Sequence, residues 1–137
     1  MANIVQENNY GELVVSDEVI GVIANIAAKE IEGIADMSGG FGTELGEMFG
    51  MKSTTKGVKV SVEDNKVKAE IYINVYYGFK LHEVSMLVQK SVTEAIVNMT
   101  GLEVVSVDVH VENVKVKEEK EEIVTVDAEE IMEDTSL

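Results

Sequence analysis

The chain has no cysteine, no tryptophan and no arginine, and aromatic residues make up only 5% of its 137 positions. Without cysteine, disulfides and thiolate chemistry are impossible; a cytosolic address is permitted but not proven. Without arginine there is no bidentate phosphate donor, and 6 Asp and 20 Glu against 11 Lys set the formal net charge at −15. Polyphosphate backbones are bound through clustered cations and counterion release, so this balance argues against nucleic acid. The same repulsion disfavours direct contact with anionic lipid. No apolar run approaches the ~20 residues of a membrane-spanning helix. Residues 1–10 have neither a basic n-region nor an apolar h-region, so they do not read as a signal peptide. The scarcity of aromatics leaves no lining for the sugar groove of a glycosidase. What remains is 45% hydrophobic, enough for one acidic, soluble, intracellular domain with its own core.

Residues 1–10 read as a flexible polar lead, and Glu12–Val15 as a short strand. Ser16 then offers an N-cap hydroxyl, with Asp17 and Glu18 favoured in the first helical turn by the dipole. Val19, Ile20, Ile23, Ile26, Ala27 and Ile31 follow at spacings of three and four, which predicts one apolar helix face ending at Gly33. Ile34–Met37 reads as a strand. Residues 39–57 are rich in glycine, with Phe41, Leu45, Met48, Phe49 and Met51 interspersed and a single helical turn expected between Thr43 and Phe49. So long a stretch in a small domain reads as mobile or functional, its apolar residues either closing the local core or anchoring a partner. Val58–Glu63 and Val67–Tyr76 alternate with period two around an Asp64-Asn65 turn, a hairpin with one buried and one wet face. A second helix is expected over Leu81–Met99, with Leu81, Val84, Leu87, Val88, Val92, Ala95, Ile96 and Met99 inward and Gly101 as its cap. A last strand places Val105, Val107, Val109 and Val111 inward. The segment 115–137 carries 3 Lys against 9 acids and reads as a solvated, disordered tail, with Ile123–Val126 or Ile131-Met132 able to dock. The predicted fold is α+β: a two-layer sandwich in the order β-α-β-β-β-α-β, its mixed, mainly antiparallel sheet covered on one face by both helices.

Motifs with chemistry fail on spacing. Gly46 to Ser53 resembles a phosphate loop, but the glycine spacing is one residue short and Met51, not glycine, precedes Lys52. His82-Glu83 opens like a zinc-protease helix, yet Met86 stands where the second histidine is needed. Gly39 and Gly42 form a GxxG without the basic residues of a nucleic-acid clamp. No EF-hand spacing supports calcium in the acidic tail. One constellation remains: Tyr72, Asn74 and Tyr76 share the wet face of a strand, and His110 is expected on the same face of the last strand. Tyrosine is favoured on an exposed strand by β propensity alone; the functional reading of the group is a protein-binding patch, since tyrosine gives large contact area at low entropy cost.

Several separate blocks resemble the alkaline shock protein family of Gram-positive bacteria, which includes the Gls proteins. They are Gly11–Ile20, Glu32–Ala35, Lys56–Val60, Tyr77-Gly78, Glu83-Val84, Val88-Gln89, Val92, Asn98–Leu102 and the valines through His110-Val111, and together they span residues 11–114. The resemblance implies a non-enzymatic cytoplasmic protein of cell-envelope homeostasis or stress, without catalytic, cofactor or metal residues. It also implies self-association and a membrane-anchored partner of the same family; the charge and the lack of a long apolar run separately argue against direct nucleic-acid binding and membrane insertion. Expected partner-binding residues are Phe41, Leu45, Met48, Phe49, Met51, Tyr72, Tyr76 and His110. The rival expectation is a small nucleic-acid-associated α+β domain.

Overall fold

The computed structural model describes residues 2–39 and 56–117. Their elements are β1 (Ala2–Asn8), β2 (Gly11–Ser16), α1 (Asp17–Lys29), β3 (Ile34–Met37), β4 (Val58–Glu63), β5 (Lys66–Tyr76), α2 (Leu81–Thr100) and β6 (Glu103–Lys115). The α+β sandwich anticipated from periodicity is the observed fold. Local signals act where expected. The Ser16 hydroxyl accepts the Val19 N–H at 3.2 Å, Gly101 caps α2 at φ 80, and Asp64 and Asn65 turn the β4–β5 hairpin at φ 52 and 62. Asparagine and aspartate tolerate that left-handed conformation better than most residues.

The N-terminal lead departs from expectation, for it is a strand. β1 pairs antiparallel with β2 from Ala2↔Ser16 to Asn8↔Gly11, forming a separate two-stranded sheet. A register shift between Ile4 and Gln6 makes Val5 the extra residue. That bulge erases the alternation by which a strand is recognised. Asn3 secures the hairpin by donating to the Val15 carbonyl and to the Asp17 carboxylate at 3.2 and 2.6 Å.

β5 is the centre of the main sheet. β6 runs parallel along its whole length, while β4 pairs with residues 66–71 and β3 with residues 73–75, both antiparallel. A strand has only two edges, so β3 and β4 lie end to end on the edge opposite β6. The Ser38 N–H donates to the Tyr72 carbonyl at 2.9 Å, and the Tyr72 N–H donates to Gly57 at 2.8 Å. The chain therefore leaves and rejoins this edge strand over a single residue of β5.

Both helices cover one sheet face. Ile20, Ala24 and Ala28 of α1, Val88, Val92 and Ile96 of α2, and Val67, Ile71, Ile73 and Val75 of β5 are fully buried. The Ser91 hydroxyl donates to the Ala27 carbonyl at 3.2 Å across the helix pair, where small alanine side chains permit close approach. The apolar arcs are wider than the buried stripes, however. Val19, Ile26, Leu81, Leu87 and Met99, expected inside, are exposed, because no described element covers the helix pair on the side away from the sheet. Val105 also turns outward: register shifts leave Val105 and Glu112 as the extra residues of β6, and each bulge resets the alternation. Lys115, expected to open the tail, is the last residue of β6; residues 118–137, with the docking expected of Ile123–Val126 or Ile131-Met132, lie outside the described residues.

Candidate functional site

The sheet face away from the helices collects its side chains by parity. Lys59 of β4, Glu70 and Tyr72 of β5, and His110 of β6 stand in neighbouring rows because Lys59 pairs with Glu70 and Tyr72 with His110. The Tyr72 and His110 rings stack at 4.5 Å between centroids and 8° between planes. The Tyr72 hydroxyl donates to Glu70 Oε1 at 2.7 Å, His110 Nε2 lies 3.4 Å from the same oxygen, and Lys59 Nζ is 5.5 Å from the Tyr72 ring centre. The hydrogen bond from Tyr72 is the main cause that holds the Glu70 carboxyl below its usual value; burial opposes it, and the His110 and Lys59 charges assist. The same hydrogen bond raises the Tyr72 phenol, with burial and the charges of Glu70 and Glu112 adding to it.

A second polar group adjoins the first. Asn74 donates to Asp36 Oδ1 at 2.7 Å, Lys115 meets Asp36 Oδ2 at 2.9 Å, and the Ser38 hydroxyl donates to the Glu112 carboxylate. Burial pushes the Asp36 carboxyl up. The Asn74 hydrogen bond and then the Lys115 hydrogen bond and charge outweigh it, aided by the Lys56 charge, and the group sits below its ordinary range. A shallow concavity of about 710 Å3 lies here, bounded by Ser38, Asn74, His110, Glu112 and Asn113.

Of the residues expected to bind a partner, Tyr72 and His110 are in contact. Tyr76 is half-buried four residues further along β5, in register with Lys115. Phe41, Leu45, Met48, Phe49 and Met51, like the helical turn expected between Thr43 and Phe49, lie outside the described residues. Lys59, Asp36 and Lys115 carry no local signal that marks them as members of the site, because their partners are set by strand register. Glu70, a wet-face residue by alternation, lies in register with Asp108, but its bond from Tyr72 is not written in that pattern. Among the described residues, no group of three or more His, Asp or Glu side chains could hold a metal ion. The bonds that Glu70 and Asp36 make are to neutral donors and cations on the same face, an arrangement that holds side chains in place rather than activating a nucleophile.

The linkage between Glu70 and Tyr72 can be measured directly. In an absorbance titration, one tyrosine of the four is expected to ionise above the usual value near 10, and Glu70→Ala brings it back down. A raised folded pKa makes the Tyr72 contribution complete below the unfolded value and lost as pH rises through the folded one. For Glu70 and Asp36 the sign reverses: their contributions hold above the unfolded carboxylate values and fade as pH falls through the lowered folded ones.

Fold and face together define a small α+β sandwich domain with helices on one side of its sheet and a structured polar-aromatic surface on the other. The chain belongs to the alkaline shock protein (ASP23) family, whose model, described as having a cell envelope-related function, matches residues 5–116. It is 33% identical to the uncharacterized protein YqhY of Bacillus subtilis, over 86% of this chain and 87% of that one. It is 35% identical to the uncharacterized protein Spy1535 of Streptococcus pyogenes, over 76% and 79% of the two chains. A stress response regulator gls24 homolog of Streptococcus pyogenes is 30% identical over 81% of this chain and 63% of its own length. Among solved structures, MamM CTD variants superpose with a TM-score of 0.45 at 12% identity, covering 72% of this chain and 95% of theirs. No helix among the described residues is long and apolar enough to cross a membrane.

Proposed function

We propose that this chain is a non-enzymatic cytoplasmic adaptor of the cell-envelope stress response, acting by self-association and by binding a membrane-anchored protein of its own family. One observation carries this most directly. The sheet face bearing the Tyr72–His110 stack is covered by none of the described elements, yet its side chains are fixed by hydrogen bonds and stacking, as a preorganised contact surface needs. The family's envelope-related function and the stress-regulator name of one relative support the cellular setting. Phe41, Leu45, Met48, Phe49 and Met51 are proposed as further anchors, and Tyr76 as the flank of the tyrosine face.

The test is recovery of partners by a tagged full-length chain from gently lysed, nuclease-treated cells. The expected result is a membrane-anchored relative in near-equal amount, reduced about tenfold or more by Tyr72→Ala with His110→Ala, a loss on the order of 1.4 kcal/mol. Phe49→Asp examines the glycine-rich segment in the same assay, with an unchanged melting temperature as its control. Recovery of the chain alone overturns tethering.

A further inference from the structure

On the side opposite the sheet's open face, a groove of about 620 Å3 runs between α1 and α2, floored by Val19, Val22, Ile23, Ile26, Ala95 and Met99. Val19, Ile26 and Met99 are 47%, 53% and 71% exposed, so apolar surface that the core does not use is gathered in one place. Contiguous apolar surface of this kind marks an interaction site more often than scattered exposed residues do. Glu18, in the first turn of α1, and Glu30, at its C-cap, line the two ends of the groove. Twelve residues separate them, about 18 Å along the helix axis.

Those two carboxylates select the occupant. A second copy docked groove to groove sets Glu18 and Glu30 against the same two acids, so self-association is left to another face. The chain's own Ile131-Met132 is enclosed by Glu129, Glu130, Glu133 and Asp134. An anionic bilayer is repelled in the same way. Lys29, the adjacent cation, lines the neighbouring groove between α1 and β3 instead. An apolar floor with an acid at each end is complementary to an amphipathic helix carrying apolar residues at i, i+3, i+4 and i+7 and lysine or arginine at both ends. Cytoplasmic segments next to membrane spans are enriched in those cations.

We propose that the α1–α2 groove receives a basic amphipathic helix of about three turns, contributed by the membrane-anchored partner. This rests on the partner proposed above. Apolar side chains of the incoming helix cover Val22, Ile26 and Met99, and its terminal cations meet Glu18 and Glu30.

The test titrates isotope-labelled full-length protein with a synthetic peptide of about three to four turns having leucine at those spacings and lysine at both ends. The control peptide has glutamate in place of lysine. Amide shifts are expected along residues 19–30 and 95–99. The acidic peptide should bind at least about tenfold more weakly, and Ile26→Asp should weaken the basic peptide by a similar factor. Ile26 is half exposed, so that variant should keep its melting temperature, and the fully surface-borne change Glu30→Lys provides a second reading of the charge term. Equal affinity for both peptides, shifts centred on Tyr72 and His110, or no binding near 1 mM overturns the proposal. So does binding of phosphatidylglycerol vesicles that Ile26→Asp abolishes, or loss of self-association in Ile26→Asp, since these assign the groove to lipid or to a second copy. If Ile26→Asp still recovers the membrane-anchored relative, the groove proposal falls while the adaptor role stands. If the peptide binds but no such relative is recovered, the groove's preference for a basic helix stands, while the membrane-anchored source of that helix falls with the tethering.

Discussion

Gly57→Ala is expected to lower the unfolding free energy by about 3 kcal/mol, seen in urea denaturation and as a loss of roughly 10 °C in Tm. Gly57 sits at φ 76, and a Cβ there would lie 2.9 Å from the Tyr72 carbonyl oxygen, 3.0 Å from Met37 Cβ and 3.0 Å from the Ser38 carbonyl oxygen. Two of these atoms are backbone, and none is the far end of a flexible side chain. Relief therefore requires moving the junction where β3 ends and β4 begins against β5. Gly78→Ala is the internal comparison. It also has positive φ, at 103, but nothing lies within 4 Å of its added Cβ, so only the backbone term of about 1–2 kcal/mol remains. A clear gap between the two variants measures the steric closure at Gly57. Equal costs would mean that the two halves of the edge strand are not locked over Tyr72. Because the same residue stacks on His110, Gly57→Ala should also disturb the Tyr72 ionisation, whereas Gly78→Ala should leave it unchanged.

The parts legible in the sequence were those written in short-range chemistry. Ser16, Gly101 and the Asp64-Asn65 pair act within three or four residues of themselves, and their roles do not depend on what packs above them. The period-two alternation of Val67 to Val75 likewise marks its inward face without knowledge of the partner strands, and it puts Tyr72 on the open side for the same reason. His110 follows by parity on β6. What alternation cannot specify is register: that Tyr72 meets His110, and that Asp36 meets Lys115 across 79 positions, follows from pairings made only after α2 has crossed the sheet. Bulges hide more. The extra residues Val5, Val105 and Glu112 each shift a face by one position, which concealed β1 and misplaced Val105. The helices failed in the opposite direction, their apolar arcs exceeding the stripe that one layer can bury. That surplus, carried by Val19, Ile26 and Met99, is the groove between α1 and α2.

The rotational setting of α2 carries the second large effect. Ile96→Ala is expected to cost about 3 kcal/mol, whereas Leu87→Ala costs less than about 1 kcal/mol. Ile96 is 0% exposed and Leu87 52% exposed, although both were assigned to the core from their apolar character. Helix geometry shows why they cannot share a face: nine residues at about 100° each place them half a turn apart. Truncating Ile96 removes packed atoms opposite the sheet and leaves a cavity that the β5 side chains cannot fill without shifting. Leu87 has water to lose on one side only, and its removal leaves no void. Urea denaturation of the two variants, with m-values compared to confirm an unchanged unfolded state, separates them. Similar costs would require α2 to be turned so that its present outer flank faces the sheet, which would also remove Met99 from the groove. The pair therefore tests the helix setting on which the groove depends, without using any binding partner.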